Sequence, residues 1–293
     1  MAGTTDKLKN FIKQSDILTK LIVINVVVFI VLFILILVNK ISGIHFDINN
    51  YVALPSSIQS LLFRPWTLLT YMFVHYEIFH ILFNMLFLYS FGRLFLSFFS
   101  SKHLGSLYIL GGLGGAALFL LTYNLIPYFS DRGNSTLVGA SASAMAIIFA
   151  VAFYNPNMKV NLMFIGKIKI LYVALGLFAL DFIFMGLDQN QGGHISHIGG
   201  ALVGFIFAKQ YLKGKDITKW MTNLIDRISD WFKPRAKSNL KVKYQRPLTD
   251  YEYNQRKASQ TEEIDRILDK IKESGYSSLS KEEKNKLFDA SKK

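Results

Sequence analysis

Long apolar runs dominate the first two thirds of this chain, and short polar connections separate them. The runs fall at Leu18–Val38, Ile78–Phe99, Leu104–Ile126, Ser141–Tyr154, Ile168–Leu187 and Ile195–Tyr211. A helix needs roughly 20 apolar residues, within a range of about 17–25, to cross a bilayer. The pattern predicts six spans, the fourth unusually short. It changes after Leu212. Ile217, Trp220, Met221, Leu224, Ile225, Ile228, Trp231 and Phe232 recur at helical spacing, flanked by Lys213, Lys215, Lys219 and Lys233. That is an amphipathic helix suited to an interface. Pro234 to Lys257 is polar and basic and reads as a linker. Thr261 to Gly275 predicts a helix with Ile264, Ile267, Leu268 and Ile271 on one side. Ser280 with Glu283 is a capping box that opens a last helix. The expected organisation is a segment over 1–17, a six-span domain over 18–212, the interfacial helix over 213–233, a linker over 234–258 and a small helical extension over 259–293.

Composition supports the membrane reading: 51% of residues are hydrophobic. The formal net charge is +13, but its placement argues against nucleic acid. Lys7, Lys9, Lys13 and Lys20, then Arg93 and Lys102, then Lys159, Lys167 and Lys169, and finally Lys209, Lys213 and Lys215 all fall on one predicted side. The other side has Lys40, Arg64 and Arg132. The positive side is the cytoplasmic one, where anionic lipid attracts it, so both termini are expected there. There is no cysteine, which excludes disulfides, thiolate metal sites and cysteine nucleophiles. The first run is long and reads as an anchor, not a cleaved signal.

Polar groups inside such runs are costly and mark function by default. Counting helical rise from the cytoplasmic ends places Ser141 roughly 22 Å up, His197 about 18 Å, His80 about 20 Å and Asn84 about 14 Å. Four polar groups from three spans thus share one slab in the outer half of a core about 30 Å thick. A fourth span that begins at Ser141 starts below the outer surface. Pro127 to Ala140 must then descend without helical hydrogen bonds, which is tolerated only in protein or beside a water-filled cavity. Free N–H groups at that helix start suit a developing anion. His197, Gly200 and Gly204 share one face of span six, opposite the small residues Ala140, Ala142, Ser143, Ala144 and Ala146. Close packing there would bring the His197 ring to the Ser141 hydroxyl. A serine with a histidine is the minimum for nucleophilic catalysis.

Other polar positions have plainer readings. Gly111, Gly112, Gly114 and Gly115 form a packing surface, since no strand precedes them and no Gly-Lys-Ser/Thr follows. Asp181 pairs with a neighbour or caps locally and is assigned no catalysis. His194 and His197 could be taken as a metal pair, but no HExxH is present and Asp181 is the only carboxylate within a span, so no metal is expected. His45, His75 and His103 are read as loop or interface histidines. A transporter would need carboxylates along a path and internal repeats, and neither is evident.

Taken together, the motifs resemble the rhomboid family of intramembrane serine proteases over roughly Ser15 to Leu212. They are Arg64-Pro65-Trp66-Thr67-Leu68-Leu69-Thr70-Tyr71-Met72-Phe73-Val74-His75, the HxxxN of His80 and Asn84, the GxSx of Gly139–Ala142, and Ser196-His197-Ile198-Gly199-Gly200. The resemblance implies an all-α polytopic six-helix bundle with a short central fourth span. It implies a Ser141–His197 dyad without a third acidic member. It also implies an oxyanion site made by the Ser141 N–H, His80 and Asn84, with Gly139, Ala142, Gly200 and Gly204 as supporting positions. No cofactor is implied. The implied substrates are single-span membrane proteins cut near their extracytoplasmic end. The alternative is a non-catalytic relative that binds membrane helices. Three positions depart from the family pattern: Ala142 stands where glycine is common, Met145 where tyrosine is common, and Thr67 where arginine often follows the tryptophan. The helical tail resembles an extension of some bacterial members, which implies a bacterial inner membrane.

Overall fold

The computed structural model describes residues 15–43, 46–130, 133, 135–162, 166–185, 190–232 and 249–290. His45, Arg132 and most of the predicted linker lie outside these residues. The described chain forms two compact units that divide at residues 233 and 234.

The first unit is a helical bundle of α1 (Ile17–Ser42), α2 (Ile78–Leu96), α3 (Ser101–Leu125), α4 (Ser141–Tyr154), α5 (Ile170–Met185) and α6 (Gln191–Leu212). By length and composition α1, α2 and α3 suffice to cross a membrane, while α4 and α5 are shorter apolar helices. Helix α1 starts where the Asp16 carboxylate accepts the Thr19 N–H at 2.8 Å, and it stops at Gly43, whose φ of 68° a side chain would resist. Most of its apolar residues face outward, as lipid requires; Leu18, Leu21, Asn25 and Leu32 pack inward. Helix α4 shows the opposite pattern. Every residue from Ala142 to Ala152 is buried, so this short helix is the centre of the bundle.

Backbone contact between α4, α3 and α6 depends on missing side chains. A Cβ on Gly200 would lie 2.0 Å from the Ala142 carbonyl oxygen, and one on Gly204 2.1 Å from that of Ala146. From α3, Gly111 and Gly115 meet the Cβ atoms of Ala146 and Ala142. Small residues let helices approach to this distance in lipid, where no hydrophobic effect drives them together.

Two short antiparallel pairs interrupt the helices. Strand β1 (Leu54–Pro55) pairs with β2 (Thr136–Leu137), and β3 (Lys159–Leu162) pairs with β4 (Gly166–Lys169). The second is a hairpin where sequence analysis expected only a basic loop. The first solves the problem posed by the descending segment. Leu54 and Pro55 face Leu137 and Thr136, the Ser56 N–H donates to the Ser135 carbonyl at 2.8 Å, and the Gly139 N–H donates to the Tyr71 carbonyl at 2.9 Å. The segment between α1 and α2 thus supplies the backbone partners that the non-helical stretch leading to Ser141 needs inside the bundle. It is itself fixed to α3: Tyr71 Oη donates to the Gly112 carbonyl at 2.7 Å, and Tyr108 Oη donates to the Met72 carbonyl at 2.9 Å.

Helix α7 (Lys219–Phe232) belongs to the same unit and docks on the start of α3. Met221 is buried, Ser106 Oγ and Thr222 Oγ1 are 2.8 Å apart, and Lys102 meets Asp226 at 2.7 Å. Its Trp220, Leu224, Ile225, Ile228 and Trp231 stay exposed.

The second unit holds α8 (Asp250–Ser274) and α9 (Lys281–Ala290). Helix α8 begins earlier than the apolar pattern predicts, inside the span assigned to the linker. Thr249 and Glu252 form a reciprocal capping box, so a polar cap starts the helix before its apolar face appears. Between Ser280 and Glu283 the expected bonds are made, the Ser280 N–H donating at 2.7 Å and Glu283 N–H at 3.2 Å. Ile267 and Leu279 are its buried contacts.

Candidate functional site

Ser141 is the first residue of α4, and His197 lies near the start of α6. The glycine contacts at Gly200 and Gly204 hold the two helices close enough for their side chains to meet. His197 Nε2 stands 2.6 Å from Ser141 Oγ. This is the separation a general base needs from the hydroxyl it deprotonates.

Both groups sit on a cavity of about 710 Å³ that is also lined by His80, Asn84, Met145 and Asp181. Phe83 and Phe87 of α2 and Leu177 and Leu180 of α5 contribute apolar wall. The four polar residues grouped by depth in the sequence therefore share one chamber. Asn84 donates one amide hydrogen to the His80 carbonyl of its own helix at 2.9 Å. An amide carries two such donors, so a second is available to the cavity. Gly139 shapes the approach: its φ is +115°, and a Cβ there would lie 2.9 Å from His80 Nε2. Only glycine adopts that backbone readily and leaves the ring its place.

His75, read from sequence as a loop or interface residue, is buried beneath this loop. Its Nε2 accepts the Ala140 N–H at 3.4 Å, and its ring meets His80 edge-on at 5.0 Å between centroids. It buttresses the turn that presents Ser141. The signal in the sequence was its place at the end of the Arg64–His75 motif.

Asp181 gives the largest departure from expectation. It pairs with a neighbour, as expected, but the neighbour is the candidate base. His197 Nδ1 and His194 Nδ1 each lie 2.6 Å from the same Asp181 Oδ1. An acidic group thus stands behind the histidine where the family pattern implies none. Helical spacing already pairs His194 with His197, but nothing local places α5 beside them. The three ligand atoms lie within 4.8 Å of one another, the only such group among the described residues. The 2.6 Å separations match hydrogen bonds from ring N–H groups to a carboxylate.

A rhomboid domain signature matches residues 63–214. The chain belongs to the rhomboid family, and it is a membrane protein. Residues 249–293 match a second signature, a family of unknown function (DUF6576). Among similar proteins, RHOMBOID-like protein 12, mitochondrial, of Arabidopsis thaliana is 26% identical over 213 residues, covering 70% of this chain and 61% of that protein. Rhomboid-related protein 1 of Caenorhabditis elegans is 31% identical over 150 residues, covering 49% and 39%. Presenilin-associated rhomboid-like protein A, mitochondrial, of Danio rerio is 27% identical over 135 residues, covering 45% and 34%. In each case the match spans less than two thirds of the relative's own length.

Proposed function

We propose that this protein is an intramembrane serine endopeptidase that hydrolyses membrane-spanning segments of other proteins. The observation that carries this reading is the 2.6 Å contact of His197 Nε2 with Ser141 Oγ at the wall of a cavity that also holds His80 and Asn84.

In the reaction, His197 Nε2 takes the Ser141 proton as Oγ attacks a peptide carbonyl carbon. Negative charge moves to the carbonyl oxygen. The Ser141 N–H, the second Asn84 amide hydrogen and the His80 ring stabilise it, and N–H groups at the first turn of α4 have no helical partner of their own. The protonated His197 then gives its proton to the leaving amine as the C–N bond breaks. Water in the cavity adds to the acyl-enzyme, again with His197 as base, and releases the new carboxyl terminus and Ser141. A spanning helix has its carbonyls already hydrogen-bonded, so the substrate must unwind locally before attack. Weak helix formers near the cut favour this. The apolar walls from α2 and α5 suit a lipid-borne segment, and Met145 fills cavity wall beside the dyad.

We further read α1 to α6 as six spans, with both termini on the positively charged side. That side is the inner one, where anionic lipid attracts lysine and arginine; the bacterial plasma membrane expected from the tail is not supported, since two of the similar proteins are mitochondrial. The exposed tryptophans and isoleucines of α7 then rest on the inner leaflet.

The test uses purified protein in liposomes with a panel of single-span membrane proteins, mapping products by mass spectrometry. Wild type should cut one or more of them, and a fluorophosphonate should label Ser141. Ser141→Ala and His197→Ala should each lower turnover by at least about 10³-fold, because such residues act as a unit. Folded protein that binds these helices, yet neither cuts them nor reacts with the probe, would instead support the non-catalytic reading.

A further inference from the structure

We infer that Asp181 is a positioning residue for the His197 base, completing a Ser141–His197–Asp181 relay, and that His194 fixes the carboxylate in place. The inference rests on the proposed hydrolase reading and deepens it. Three contacts line up across three helices. Ser141 Oγ on α4 meets His197 Nε2, His197 Nδ1 on α6 meets Asp181 Oδ1 on α5, and His194 Nδ1 meets that same oxygen. Each separation is 2.6 Å.

The chemistry follows from which ring nitrogen holds the proton. A neutral imidazole has one donor and one acceptor nitrogen. Asp181 as a carboxylate only accepts, so Nδ1 must be the donor. Nε2 then presents its lone pair to Ser141, which is the tautomer a general base requires. Without Asp181 the proton can rest on Nε2, and the ring then points a hydrogen at the hydroxyl it should deprotonate. The carboxylate also faces the positive ring formed when the serine proton moves. In soluble serine proteases, a change of this carboxylate to an amide lowers kcat by about 10⁴ through the wrong tautomer.

His194 has a matching role. It lies three residues before His197 on the same helix, so both rings project from one face of α6 toward α5. Asp181 is 11% exposed at its side chain and His194 10%. Two N–H donors on one oxygen keep the carboxylate from rotating toward open cavity. The tie between α5 and α6 thus sits directly beside the reacting atoms.

The experiment compares full-length wild type, Asp181→Asn and Asp181→Glu in liposomes. Three things are measured: the rate of fluorophosphonate labelling of Ser141, kcat and KM on a cut substrate, and the His197 tautomer by ¹⁵N NMR of histidine-labelled protein. Asp181→Asn should slow labelling and kcat by at least about 100-fold with KM within about twofold, a smaller loss than the soluble proteases show. The Nδ1–H signal of His197 should be lost, and Asp181→Glu should recover at least about tenfold by restoring the acceptor. A melting temperature matching wild type keeps these losses separate from unfolding. Labelling of Asp181→Asn within about threefold of wild type, or an unchanged tautomer, would overturn the inference. So would labelling that disappears on chelation and returns with zinc, because the three side chains would then be a metal site. If wild type shows Nδ1–H on His197 yet never labels, the hydrolase reading fails while the positioning geometry stands.

Discussion

At the scale of single residues, the site combines groups that were visible in the sequence with groups that were not. Ser141 and His197 stood out because a polar side chain in an apolar run is costly. His80 and Asn84 joined them through helical rise alone. His75 and Asp181 did not, because their roles come from neighbours on other elements. Asn84 offers a sharp test. One amide hydrogen already serves the His80 carbonyl, so its catalytic share is one bond to the developing oxyanion. Asn84→Ala should lower kcat by about 10²-fold or more and leave KM nearly unchanged, as expected for a donor that acts only in the transition state. Steady-state kinetics on a cut substrate checks this.

Elements impose their own demands. The α4–α6 contact leaves no room for a methyl group at Gly200, where a Cβ would sit 2.0 Å from a backbone oxygen. Gly200→Ala should therefore push the helices apart, cost roughly 1–3 kcal/mol, and slow Ser141 labelling as the dyad opens. A methyl group on Gly176 of α5 would meet nothing within 4 Å, so Gly176→Ala should keep stability or raise it slightly, since alanine is the better helix former. Thermal unfolding in one detergent compares the pair. The junction of α6 and α7 makes a different prediction. Burial works against the ionised Asp216, yet bonds from Thr218 and His103 hold its carboxyl below the usual carboxylate range. A carboxyl lowered by folding stabilises at pH above its unfolded value of about 3.9, and that contribution is lost as pH falls through the folded value. Docking of α7 on α3 should weaken below about pH 4, read by Trp220 and Trp231 fluorescence. Asp216→Asn should dock less well at neutral pH and lose this acid transition.

For the molecule as a whole, the proposed topology can be checked without removing any native thiol, because the chain has no cysteine. In the proposed arrangement Ser130→Cys, just past the end of α3, lies on the side opposite the termini, and Ser259→Cys lies in the tail unit. In intact cells an impermeant maleimide should label Ser130→Cys at once and Ser259→Cys only after permeabilisation. Equal labelling of both in intact cells would reject the proposed arrangement. The bundle's apolar exterior and central α4 follow from one constraint: lipid takes the outward faces of α1, α2 and α5, so the polar chemistry must face inward.

Hydrophobic pattern alone determined which segments of the bundle are helices, that the fourth is short, and that Ser141, His197, His80 and Asn84 are costly polar positions within or beside apolar runs. These are properties of one helix at a time, set by local rise and by the cost of placing polar atoms in hydrocarbon. Tertiary structure decided the rest. It paired β1 with β2 to satisfy the descending backbone, tucked His75 under Ala140, and brought Asp181 of α5 behind His197 of α6. Those contacts join residues of different elements, and only the packing of one element on another fixes which side chains meet.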